Sequence, residues 1–161
     1  MFYLDLFRAL DRHHVQYLLI GGLAVSLHGI ELATMDVDIT VAMTPENLAA
    51  LTGMAEELGL TPVLPVPLQS LRNPEILRQW HAERHLAAFA LRTPELAGVT
   101  MDVLLFPPVE FSAMLPHAVV FDIAGVAVRV ASIDDLIALK QAVGRPIDLA
   151  DIEHLRRIKP T

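Results

Sequence analysis

Residues 17–41, YLLIGGLAVSLHGIELATMDVDITV, constrain this chain more than any other stretch. The apolar run Tyr17-Leu18-Leu19-Ile20 reads as a buried strand. Gly21-Gly22 breaks it, residues 23–28 have helix-forming composition, and Gly29 stops that helix. A strand entering a glycine turn and then a helix start turns free N–H groups and the positive end of a dipole toward whatever lies there, which favours an anion. Asp36-Val37-Asp38-Ile39-Thr40-Val41 follows as a second strand. Residues two apart on a strand share a face, so Asp36 and Asp38 project together while Val37 and Ile39 point into a core. Two adjacent carboxylates repel unless something cationic lies between them. Oxygen ligands of this kind suit Mg²⁺. An Asp-x-Asp pair alone carries little weight, and so does Gly-Gly after a strand; the information lies in their order within one compact unit.

The rest of the chain sets the frame. Its 161 residues suit a single domain spanning residues 1–161, and 53% hydrophobic content argues against disorder. The net charge of −7 opposes broad non-specific binding to nucleic acid, though Arg156-Arg157-Ile158-Lys159 forms a local basic run. There is no cysteine, which removes disulfides and thiolate metal sites and suits a reducing cytoplasm. The longest apolar run, residues 15–27, contains Gln16 and two glycines and is too short to span a bilayer. The N-terminus does not read as a signal peptide, because Asp5, Arg8 and Asp11 interrupt it.

Residues 2–13 read as an amphipathic helix with Phe2, Leu6, Ala9 and Leu10 on one stripe. After the central unit, Thr44 caps a helix with Pro45 at its first position, and Gly59 ends it. Residues 61–74, with four prolines, predict an irregular surface loop, and residues 74–83 a short helix. Residues 86–91 and 99–105 predict two strands joined by a turn over residues 93–98. The second carries Asp102 amid apolar neighbours, a conflict with burial of the sort found at functional sites. Either this is an edge strand with Asp102 facing water, or Asp102 joins Asp36 and Asp38. Residues 107–115 read as a short helix or loop, and residues 118–122 and 126–130 as a hairpin around Ala124-Gly125. Ser132 and Asp135 then start a helix that Gly144 terminates, and Pro146 opens another running to about Ile158.

On the first of these last two helices Lys140, one of two lysines in the chain, shares the stripe of Ile133, Leu136, Ile137 and Val143. It either snorkels to water or supplies a cation to phosphate oxygens or the carboxylate cluster. On the final helix Asp148, Asp151, Ile152 and Leu155 share a face, so acids again point inward. His81 and His85 lack the spacing and third ligand of a zinc site, and Gly21-Gly22 is neither a Walker loop nor a dinucleotide-binding fingerprint.

Ile20-Gly21-Gly22, thirteen residues, then Asp36-Val37-Asp38-Ile39 resembles the signature of the DNA polymerase β-like nucleotidyltransferase superfamily. His28-Gly29, Thr34-x-Asp36-x-Asp38 and Lys140-x4-Arg145-x2-Asp148-x2-Asp151 resemble the small bacterial minimal and abortive-infection-toxin-like branches. That branch often has Arg two residues before the Thr and Lys just after it; this chain has Leu32 and Met35. The resemblance implies an α/β (α+β) fold, a mixed sheet with flanking helices and a C-terminal helical extension. It implies transfer of a nucleotidyl group from a nucleoside triphosphate to a macromolecular acceptor, RNA or protein, with a toxin–antitoxin system as one setting and a cognate toxin or antitoxin as one partner. It implies two Mg²⁺ ions, or Mn²⁺, on Asp36, Asp38 and Asp102, with Asp102 also orienting the acceptor hydroxyl. Gly21, Gly22, Thr34 and Lys140 are then expected at the nucleotide, and more weakly Asp148, Arg145 and His28. The alternative is a non-catalytic module of the same fold that binds a partner or senses nucleotide.

Overall fold

The computed structural model describes residues 2–29, 36–94 and 99–159. Helix α1 (Phe2–Arg12) leads into strand β1 (Tyr17–Ile20), helix α2 (Gly21–Leu27) and strand β2 (Val37–Val41). Helix α3 (Pro45–Glu57), a two-residue strand β3 (Thr61–Pro62), a 3-10 turn (Leu68–Arg72) and helix α4 (Pro74–Arg84) follow. Strands β4 (Ala88–Arg92) and β5 (Thr100–Leu104) precede a short helix α5 (Phe111–Met114), and β6 (Val119–Ile123) and β7 (Val126–Val130) form the hairpin. Helices α6 (Ile133–Val143) and α7 (Pro146–Ile158) close the chain.

Local chemistry accounts for the boundaries. Thr44 and Ser132 accept hydrogen bonds from the N–H groups of Asn47 and Asp135, satisfying donors that the first turns of α3 and α6 leave free. Asn73 does the same for α4, accepting from Glu75 and Ile76. Gly59 and Gly144 follow α3 and α6 with φ near +70°, a conformation that side chains resist.

Seven strands form one mixed sheet in the order β3-β4-β5-β2-β1-β7-β6. The pairs β2–β5 and β1–β7 are parallel and the others antiparallel. Val37, Ile39 and Val41 of β2 are buried, as alternation requires, and join a core with Leu19 of β1, Leu51 of α3, Phe89 of β4, Met101 of β5, Val128 of β7 and Leu136 of α6. Thr40, on the other face of β2 and also buried, donates its hydroxyl to the Leu104 carbonyl across the β2–β5 seam at 2.9 Å.

Two expectations need correction. Residues 61–74 are not wholly irregular: Thr61 and Pro62 pair with Arg92 and Leu91, and Leu68–Arg72 coils as a 3-10 turn. The open edge of β4 recruits a short strand there, and an edge position tolerates a proline, which has no N–H. Helix α2 begins at Gly21 rather than Leu23, because Gly21 at φ 74° turns the chain directly from β1 into the first helical turn. Strand β5 lies between β2 and β4, so of the two readings of Asp102 the edge strand falls away. The turn expected at residues 93–98 falls largely outside the described residues.

Candidate active site

The parallel register of β2 and β5 sets Asp38 directly beside Asp102. Both face away from the core residues that alternate with them, and both are half-buried. Their carboxyl groups stand close enough to act on each other's proton affinity. Burial first, and then the charge of Asp102, pushes the Asp38 carboxyl up to about 7, while the Lys140 cation acts against the rise. Burial also raises Asp102, with Asp38 opposing the effect and the charge of Asp36 adding to it. Such a pair retains a proton shared between two oxygens at a pH where isolated aspartates are ionised.

Asp36 lies one residue ahead of β2 and is exposed. Its Oδ1 accepts a hydrogen bond from the Thr100 N–H at 3.3 Å, at the mouth of β5. Asp36 therefore acts on the pair through its charge and reaches across the same seam.

Gly21 is the close neighbour of this pair. Ile20 pairs with Asp38 across β1–β2, so the next residue crosses in front of the carboxylate. A Cβ on Gly21 would lie 2.9 Å from both Cβ and Cγ of Asp38 and closer still to its Oδ2. Only a residue without a side chain fits, and its φ of 74° imposes the same restriction. Gly22 follows inside α2, half-buried.

Lys140 faces the same place from α6. It lines a cleft of about 250 Å³ together with Ile20, Gly21, Asp38, Arg145 and Asp148. Its side chain is only 14% exposed, so the ammonium does not simply reach to water. Nζ donates to Asp151 Oδ2 at 2.9 Å and stands 3.8 Å from Asp148 Oδ1. Asp148 belongs to Arg145: it accepts from the guanidinium at 2.8 and 3.3 Å and from the Arg145 backbone N–H at 3.2 Å. These bonds, the guanidinium first, hold the Asp148 carboxyl below the usual carboxylate range despite its burial. Spacing places both Asp148 and Asp151 on the inward stripe of α7, and the geometry gives Lys140 to Asp151. Which acid meets the lysine depends on how α6 crosses α7.

The remaining candidates lie elsewhere. The His28 ring donates from Nε2 to the Ala131 carbonyl at 2.9 Å and packs edge-on against Phe121, which ties α2 to the end of β7 rather than to the acids. Thr34, Leu32 and Met35 lie outside the described residues. His81 stacks on Phe106, and His85 caps α4 in the left-handed region. A larger cavity, about 430 Å³, opens at the far ends of β2 and β5 among Val41, Thr44, Arg78, Phe106 and Phe111, away from the acids.

Asp38 and Asp102 present hard oxygen donors on adjacent strands, and a divalent cation relieves their repulsion as a proton does. The pair therefore fits such an ion. Among the described residues, no three acids or histidines already stand at metal-binding spacing, so the pair would be the core of the site and Asp36 an outlying contributor.

Comparison with solved structures places the fold. The chain aligns over 93% of its length, and 71% of the other's, with an antigenic nucleotidyltransferase-like protein from Paracoccidioides brasiliensis, at 18% identity and a TM-score of 0.57. It aligns with the antibiotic-resistance factor ANT(2'')-Ia over 96% of its length and 78% of that chain, at 18% identity and a TM-score of 0.56. With the lincosamide antibiotic adenylyltransferase LnuA, in its lincomycin-bound form, the figures are 93% and 91%, 15% identity and 0.56. The fold is therefore that of the nucleotidyltransferases. No protein-family profile matches the chain, and no curated protein matches it in sequence.

Proposed function

We propose that this chain is a nucleotidyltransferase that moves a nucleotidyl group from a nucleoside triphosphate to a hydroxyl of a macromolecular acceptor, RNA or protein, the new bond to the α-phosphorus replacing the α–β phosphoanhydride bond and pyrophosphate leaving. The observation that carries the reading is the meeting of Asp38, Gly21 and Lys140 around one cleft, with Asp102 beside Asp38 across the β2–β5 seam, in a fold shared with the adenylyltransferase LnuA. Asp38 and Asp102, with Asp36 beside them, would hold Mg²⁺, which when bound neutralises and polarises phosphate oxygens. Gly21 leaves room for phosphate near the acids, and Lys140 offsets its charge. Asp102, its proton affinity raised by burial, accepts the proton of the attacking hydroxyl. The setting we favour is a toxin–antitoxin pair in the cytoplasm, consistent with a cysteine-free chain in which no helix among the described residues is long and apolar enough to cross a membrane. A small-molecule acceptor is the second reading, favoured by the likeness to LnuA bound to lincomycin.

Calorimetric titration with each nucleoside triphosphate and Mg²⁺ tests the site, beside transfer of label from α-labelled triphosphates onto RNA, protein and lincosamide or aminoglycoside pools. Binding by the wild type that disappears in Asp38→Asn is expected. Equal affinity in wild type and Asp38→Asn would refute the metal–nucleotide site, and binding without transfer to any acceptor would favour the nucleotide-sensing module.

A further inference from the structure

We infer that Asp151 is a positioning residue that aims the Lys140 ammonium into the cleft, so that nucleotide affinity depends on a side chain that does not itself touch nucleotide. The inference rests on the reading of that cleft as the triphosphate site. The geometry separates Asp151 from its neighbour. Asp148 has both oxygens engaged by Arg145 and stands 3.8 Å from Nζ, beyond hydrogen-bond range. Asp151 accepts directly from Nζ at 2.9 Å, with both side chains shielded at 14% and 17% exposure. An ammonium has three N–H groups, so one is committed to Asp151 and the others remain for the cleft that Lys140 lines. A lysine carries several rotatable bonds, and holding it in one place costs entropy at the moment of binding unless the protein has already fixed it. Asp151 fixes it beforehand.

The test is a double-mutant cycle read by binding of Mg²⁺-bound nucleoside triphosphate and of inorganic tripolyphosphate. Asp151→Asn is expected to weaken both by roughly tenfold, the size of one coupled charge pair. The same substitution made on Lys140→Met is expected to change nothing further, and Asp151→Glu to recover part of the loss. A merely structural ion pair would instead lower the melting temperature and leave both affinities unmoved. A second readout avoids binding altogether. The chain has two lysines, and Lys159 pairs with Asp134 on the surface at 2.7 Å. Acylation followed by mass spectrometry is expected to find Lys140 protected relative to Lys159, and protection lost in Asp151→Asn. Should Asp151→Asn not fold, Asp151→Glu carries both readouts, with intermediate affinity and intermediate protection expected. Wild-type affinity in a folded Asp151 variant, or a loss that persists on Lys140→Met, overturns the inference and leaves the site standing. No nucleotide binding by the wild type overturns the site and the inference together.

Discussion

Gly21 carries two constraints at once, a left-handed backbone and a carboxylate lying where its side chain would be. Gly125, in the β6–β7 turn, carries only the first: its φ is 83°, and a Cβ there would meet nothing within 4 Å. The two glycines separate the effects. Gly125→Ala is expected to cost about 1–2 kcal/mol, the penalty of the left-handed conformation alone. Gly21→Ala adds displacement of the Asp38 carboxyl and is expected to cost about 2–4 kcal/mol in urea denaturation. It should also abolish Mg²⁺-dependent nucleotide binding, since Asp38 no longer stands beside Asp102. Equal losses in the two variants would mean that Asp38 swings aside freely, and the close approach would then have no bearing on the site.

Elements are held in register by polar ties as well as by the core. Asn47, in the first turn of α3 and 6% exposed, is the principal one. Its Oδ1 accepts from the Gln16 N–H at 2.7 Å, and its Nδ2 donates to the Gln16 and Ala42 carbonyls at 3.0 and 2.8 Å. One amide therefore joins α3 to the start of β1 and the end of β2, the two strands that place Gly21 and Asp38. Asn47→Ala leaves these backbone groups short of partners where water has little access, and is expected to cost about 2–3 kcal/mol. Thr44→Ala, which removes only the cap of the same helix, is expected to cost about 1 kcal/mol. Chemical denaturation of both variants checks the order, and a larger loss from Thr44 would show that α3 is anchored by its cap rather than by Asn47. Nothing in the spacing of Asn47 marked it, because its partners become neighbours only when β1 and β2 pair.

At the scale of the whole molecule, the Asp38–Asp102 pair gives stability a pH dependence of definite sign. In the folded state Asp38 keeps its proton up to about 7, whereas the unfolded chain releases it near 3.8. Between those values the native state binds more protons than the unfolded one, so stability falls as pH rises through the window and stays reduced above it. The melting temperature of the metal-free wild type is expected to fall more steeply than that of Asp38→Asn between about pH 4 and 7, with the variant the more stable above the window. Mg²⁺ should restore stability to the wild type at high pH and leave the variant unchanged, because the ion replaces the shared proton. Parallel profiles for the two proteins would mean that the pair is not a source of strain.

The sequence by itself determined most of the elements. Caps at Thr44 and Ser132, glycines at 59 and 144, and the alternation of Val37 and Ile39 with Asp38 act within a few residues, so the order of residues along the chain is enough to read them. The nucleotidyltransferase-like order of strand, Gly-Gly, helix and Asp-x-Asp strand was legible for the same reason. Tertiary structure alone decided the rest. Whether Asp102 met water or another carboxylate turned on the strand order that buries β5 between β2 and β4. Whether Lys140 met Asp148 or Asp151 turned on the crossing of α6 and α7, and Arg145 settled it by claiming Asp148 first. The pairing of Thr61–Pro62 with β4 escaped a proline-rich composition because an open sheet edge, not local propensity, supplied the partner. Charges and edges choose partners in space, and residues far apart in the chain become alternatives for one another only after the core has brought them together.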